Sequence, residues 1–173
     1  MPEWIYTLTV DASYDAATYV VGVGIVVQSR TGSSGRGPII AQIAEAHTCL
    51  SSGMGEMFAV LRALEIARAR GFNRIKVRSD YNSMRRDLRK RFRSEAAGKS
   101  DLQQKILELA SQFEWIDFGY VPRRKNQIAH VLARRGRYTV PTCVAGKHEC
   151  PAAEQSLAAD GAIACFSSNS FLR

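Results

Sequence analysis

Apolar and polar positions alternate along the N-terminal part of the chain. In WIYTLTVD (residues 4–11) Ile5, Thr7 and Thr9 alternate with Tyr6, Leu8 and Val10, which predicts a β-strand. YVVGVGIVVQ (19–28) predicts a second, in which Gly22 and Gly24 allow close backbone approach. The Gly/Ser stretch SRTGSSGRG (29–37) predicts a turn or flexible loop, and PIIAQIAEAH (38–47) a third strand. The period then changes. After SSGMG, in EMFAVLRALEIARARG, Met57, Val60, Leu61, Leu64 and Ala67 recur at helical spacing, Arg62, Glu65 and Arg68 fall on other faces, and Gly71 supplies a stop. NRIKVRSD (73–80) predicts a fourth strand and NSMRRDLRKRFR (82–93) a strongly basic helix. DLQQKILELASQF (101–113) predicts an amphipathic helix and EWIDFGYVP (114–122) a fifth strand. Asn126 is placed to N-cap a last helix running to Gly136.

The predicted order is β-β-β-α-β-α-α-β-α. Short connections make the first three strands antiparallel, and helical crossovers make the later two parallel to a neighbour. The expected class is α/β: a mixed five-stranded sheet flanked by about four helices. It occupies residues 1–137. From 138 to 173 the chain is rich in small residues without a sustained period, which predicts a weakly ordered tail or small accessory segment. Cys143, His148, Cys150 and Cys165 in that segment lack the paired knuckles of a zinc site.

Composition changes the picture in one respect. The 173 residues carry 24 Lys and Arg against 16 Asp and Glu, a formal charge of +8, which favours a polyanionic partner such as nucleic acid. The N-terminus has no basic run before an apolar one, no apolar run reaches the ~20 residues of a bilayer span, and four scattered cysteines suit a reducing, cytoplasmic setting. Cys49 reads as a small buried apolar residue.

Three acids fall at informative places. Asp11 ends the first predicted strand, Asp80 ends the fourth, and Glu56 starts the first long helix. If the first and fourth strands are adjacent and parallel, the two aspartates emerge side by side and the helix brings Glu56 to the same edge. Carboxylates held that close repel, and need protons or cations. Hard oxygen ligands favour Mg²⁺ or Mn²⁺, and two such ions can clamp the attacking and leaving oxygens of a phosphodiester.

TVDAS with its Gly-rich hairpin, GEMFAVLRALEIA, VRSDYNSM and RRKNQIAHVLAR together resemble, in order, the signature blocks of the type 1 ribonuclease H family, from about Tyr6 to Arg135. The resemblance implies an endonuclease, acting as a monomer, that cuts the RNA strand of RNA/DNA hybrids with two divalent ions. One ion activates water and the other stabilises the departing 3′ oxygen, leaving 5′-phosphate and 3′-hydroxyl ends. It makes Asp11 the aspartate that bridges both metals, and Glu56 and Asp80 ligands of the second. Ribonuclease-H-like domains serve several functions, so a catalytically weak or inactive nucleic-acid-binding module stands as the alternative. A metal nuclease acting on double-stranded RNA or a junction is a third.

The family's fourth acid, four residues after an asparagine matching Asn126, falls on His130. Three readings stay open: the imidazole ligates the metal, the site is degenerate, or His130 is a bystander beside a water. The first is preferred because the other three acids are intact. Imidazole suits Mn²⁺ better than Mg²⁺, and the lost charge weakens metal binding. Asp15 and Asp117 do not match the fourth position.

For the duplex, the expected contacts are Arg85, Arg86, Arg89 and Lys90 of the basic helix, with Arg91 and Arg93 beyond them. Arg123, Arg124 and Asn126 lie before the last helix. Ser51 and Ser52 stand where family members contact phosphate and a 2′-hydroxyl. The link SEAAGKSD is too short for the family's separate basic protrusion, and VPRRKN lacks the mobile histidine that helps product leave.

Overall fold

In the computed structural model, residues 4–31, 37–82, 86, 88 and 100–139 are described. They form strands β1 (Trp4–Asp15), β2 (Val20–Thr31), β3 (Ile39–Thr48), β4 (Arg74–Ser79) and β5 (Trp115–Tyr120), and helices α1 (Ser52–Ala69), α2 (Asp101–Ala110) and α3 (Gln127–Tyr138). A short 3₁₀ turn, Arg123–Lys125, precedes α3. The sheet order is β3-β2-β1-β4-β5. β1, β2 and β3 form an antiparallel meander, and β4 lies parallel to both β1 and β5. Of the predicted basic helix, Asn82, Arg86 and Leu88 are helical; its other positions lie outside the described residues, as does the segment 140–173 with its cysteines.

Alternation along the strands sorts the faces. Leu8 and Val10 of β1, Val23 and Ile25 of β2, and Ile75 and Val77 of β4 pack with Val60 and Leu64 of α1, Leu88 and Ile106 in the main core. On the opposite face a smaller cluster joins Val26 of β2 and Ala44 of β3 to Ala129 and Leu132 of α3. The close approach expected at Gly22 and Gly24 is realised here. A Cβ on either would strike α3 backbone, at Ala133 and Ala129 respectively. Gly71, with φ +70°, ends the first helical segment in the left-handed conformation that glycine adopts without strain.

Three boundaries depart from the sequence reading, each for a local reason. β1 does not end at Asp11 but continues to Asp15, because Asp11 to Asp15 stay paired with Gly24 to Val20 of the hairpin. What ends near Asp11 is the pairing with β4, whose last register pair is Thr9 with Arg78. α1 starts at Ser52, not Glu56: the Ser51 hydroxyl accepts from the Met54 N–H and satisfies an orphan donor of the first turn. Gly53 and Gly55 are therefore helical, and Glu56 sits a full turn inside. α3 runs past Gly136 to Tyr138, since Gly136 is a packing position against the Glu45 backbone rather than a stop. Among the described residues no helix is long and apolar enough to cross a membrane.

Candidate active site

The site forms where β1 and β4 part. Beyond the Thr9–Arg78 pair the two strands diverge, and Asp11 and Asp80 occupy the opening. Asp11 is two positions beyond Thr9 and so on its face of β1, and Asp80 directly follows the last residue of β4. α1 packs on β1 and β2, which brings its first turns, with Glu56, to the same edge. Asp11, Glu56 and Asp80 each offer an oxygen, and these atoms all lie within 4.8 Å of one another.

α3 closes the opposite side. Asn126 occupies its N-cap position, but the side chain does not cap; its Nδ2–H donates to the Val10 carbonyl at 3.1 Å. That bond ties the start of α3 to the residue before Asp11. One turn on, the Nδ1–H of His130 donates to Oδ2 of Asp11 at 2.7 Å. The ring lies outside the converging set of three carboxylates, and Nε2 is the nitrogen left for any other partner. The Arg123 guanidinium reaches to 3.9 Å from Oδ2 of Asp80.

The electrostatics follow from crowding and burial. Burial pushes the Glu56 carboxyl up to about 8, reinforced by the Asp11 and Asp80 charges and only partly offset by Arg123. Its Oε2 is buried without a hydrogen-bond partner. Burial likewise raises Asp11, helped by Asp80 and opposed by the His130 hydrogen bond. Three oxygen donors, one orphaned, with the proton affinities of Asp11 and Glu56 raised chiefly by burial, fit a hard divalent cation, which would neutralise the charge that burial penalises.

The other sequence-picked residues separate clearly. Ser51 spends its hydroxyl on the helix cap, and Ser52 is exposed in the first turn. Arg86, Arg123 and Arg124 are exposed; Arg85, Arg89 and Lys90 lie outside the described residues. Asp15 accepts from the Ala17 N–H within the hairpin turn, and Asp117 pairs with Lys76 at 2.9 Å, so both are occupied away from the cluster. Cys49 is buried, its thiol donating to the Ser51 carbonyl at 3.2 Å. The sequence reading missed that Arg123 faces Asp80, a contact that depends on the 3₁₀ turn.

The profile of the family described as reverse transcriptase-like matches residues 9–136, spanning β1 to α3. The chain belongs to the reverse transcriptase-like family. No curated protein matches the sequence. Among solved structures, ribonuclease H1 of the archaeon Halobacterium salinarum NRC-1 is similar with 23% identity and a TM-score of 0.63, over 76% of this chain and 96% of that one. The N-terminal RNase H domain of a Mycobacterium tuberculosis protein matches with 20% identity and a TM-score of 0.65, over 79% and 95%. LC11-RNase H1, a compost metagenome protein solved with an RNA/DNA hybrid, matches with 18% identity and a TM-score of 0.62, over 77% and 96%. At these identities the structures show that this family member has the ribonuclease H-like fold.

Proposed function

We propose that this reverse transcriptase-like family member is a metal-dependent endoribonuclease, working as a monomer through residues 1–137, that hydrolyses the RNA strand of RNA/DNA hybrids. The observation that carries the reading is the convergence of Asp11, Glu56 and Asp80 within 4.8 Å at the one sheet edge where parallel strands part. The hybrid-bound LC11 relative supports the substrate class.

Asp11, Glu56 and Asp80 would hold the divalent ions, Mg²⁺ or Mn²⁺, two per site. Bound there, the metal supplies Lewis-acid stabilisation of the phosphate and a water of lowered pKa. The chain's own residues prepare that site. Asn126 fixes the start of α3 against Val10, and His130 orients the Asp11 carboxylate through its 2.7 Å bond. Ligation by His130 itself would run through Nε2. Arg123, beside Asp80, places a positive charge where a phosphate must arrive. Exposed Arg86 and Arg124, with Arg85, Arg89 and Lys90, would add phosphate neutralisation without sequence preference, and Ser51 and Ser52 would meet the duplex beside Glu56. The products would carry 5′-phosphate and 3′-hydroxyl ends.

The test is a cleavage panel. Labelled hybrid, double-stranded RNA and single-stranded RNA are incubated in Mg²⁺ and in Mn²⁺, with Asp11→Asn as control. Hybrid cleavage that vanishes in the variant supports the reading. Hybrid bound but intact in both metals would show a binding module, and preferential cutting of double-stranded RNA would move the substrate.

A further inference from the structure

Beside Asp11 the sheet carries a cleft of which the proposed reaction uses only Arg124 and Asn126. Its volume is about 230 Å³, and its lining includes Thr9, Arg78, Arg124, Lys125, Asn126 and Ile128. Thr9, paired with Arg78, stands two positions before Asp11 on β1. Residues i and i+2 of a strand share a face about 7 Å apart, so the cleft adjoins that carboxylate.

Its chemistry is that of an anion site. Three lining residues are cationic and none is acidic. Among the described residues, nearby cations are already engaged, Lys76 by Asp117 and Arg123 by Asp80. Arg78, Arg124 and Lys125 have no carboxylate partner among the described residues, and Nε of Arg78 is buried with no hydrogen-bond partner there. Asn126, only 2% exposed, likewise has an unpartnered Oδ1. Buried polar atoms are normally satisfied, so two orphans on one cleft mark a place where a polar ligand completes the bonding. The remaining wall is mixed, an apolar part with Val26, Ile128 and Ala129 standing beside the amides of Gln28 and Gln127. A guanidinium and an ammonium suit a phosphate, and an apolar wall with an amide acceptor suits a base bearing an N–H.

We propose that this cleft binds a nucleoside monophosphate unit, with phosphate on Arg78, Arg124 and Lys125 and the base against the Ile128 wall. Its description as a subsite beside the scissile phosphodiester rests on the nuclease reading; its capacity to bind a nucleotide does not. The same chemistry could arrive as a free nucleotide or as one unit of a strand.

The experiment uses the full chain in excess chelator, so that no carboxylate-bound ion contributes. Adenosine 5′-monophosphate, inorganic phosphate and a short DNA oligonucleotide are titrated by calorimetry, and amide shifts are followed by NMR. The expected result is saturable binding of the mononucleotide, tighter than phosphate, with shifts centred on Thr9, Arg78 and Lys125. The exposed pair Arg124→Ala/Lys125→Ala should weaken it at least about tenfold, whereas Arg135→Ala, on the exposed side of α3, should leave it within about twofold. An oligonucleotide that binds at least about tenfold tighter than the mononucleotide would assign the site to a strand; equal affinities would assign it to free nucleotide. Absent saturation, shifts elsewhere, or equal loss in Arg135→Ala would overturn the proposal. Because cleavage is not read, an inactive protein that still binds nucleotide here would sink the nuclease reading alone.

Discussion

Replacing Glu56 with glutamine isolates the electrostatic strain of the carboxylate cluster. In the folded protein the Glu56 carboxyl is held near 8 against an ordinary value of 4.5. The raised folded value means that the protonated form contributes its full stability below about pH 4.5, and that this stability is lost as pH rises toward about 8. Between those limits the unfolded chain gives up its proton first, so unfolding free energy falls with a slope approaching roughly 1.4 kcal/mol per pH unit. Partial exposure and coupling to Asp11 and Asp80 reduce the total to a few kcal/mol at most. Denaturant unfolding from pH 5 to pH 9 in chelator should show wild type losing stability steadily and Glu56→Gln losing much less, so that the variant is the more stable protein at pH 8. Saturating Mn²⁺ should reverse the wild-type trend, because the ion binds the deprotonated cluster and stabilises the fold in proportion to its occupancy. Parallel pH profiles for wild type and Glu56→Gln in chelator would refute the reasoning.

Other perturbations probe separate parts of the molecule. His130→Asp exchanges the imidazole on Asp11 for a fourth carboxylate; calorimetric Mg²⁺ affinity should rise by on the order of tenfold, and an unchanged affinity would make His130 irrelevant to the metal. Gly24→Ala drives a methyl into the α3 backbone at Ala129 and should cost at least roughly 3 kcal/mol in denaturant unfolding. Glu45, buried on β3, is pushed up by burial but pulled down further by His47 and Arg62, to about 2. Its stabilising contribution is therefore complete above about pH 4.5 and lost as pH falls toward 2. Arg62 bonds it at 2.8 and 2.9 Å, and Arg62→Met, which leaves His47 as its partner, should destabilise by up to roughly 3 kcal/mol in denaturant unfolding at pH 7.

Much of this arrangement was legible in the residues because local period and global packing agree. The meander follows from period-two strands with short connections. The parallel placement of β4 beside β1 follows from the helical crossover, and it puts Asp11 and Asp80 at one opening. Gly22 and Gly24 announced a close neighbour, though not that α3 would supply it. Boundaries were less legible, since Ser51 caps a helix through two glycines that local propensity disfavours, and since β1 is extended by its hairpin partner rather than by its own residues. Asn126 was marked as a cap, but burial gave its amide a stronger use on Val10. His130 could be seen as a departure from the acidic pattern, whereas its bond to Asp11 required the fold.

The most direct test of the account is a crystal of the full chain soaked in Mn²⁺ and measured at a wavelength where manganese scatters anomalously. A strong anomalous peak bounded by the carboxylates of Asp11, Glu56 and Asp80 is expected, absent in Asp11→Asn crystals. A map with no peak at those three side chains at saturating Mn²⁺, or with manganese bound only elsewhere, would contradict it.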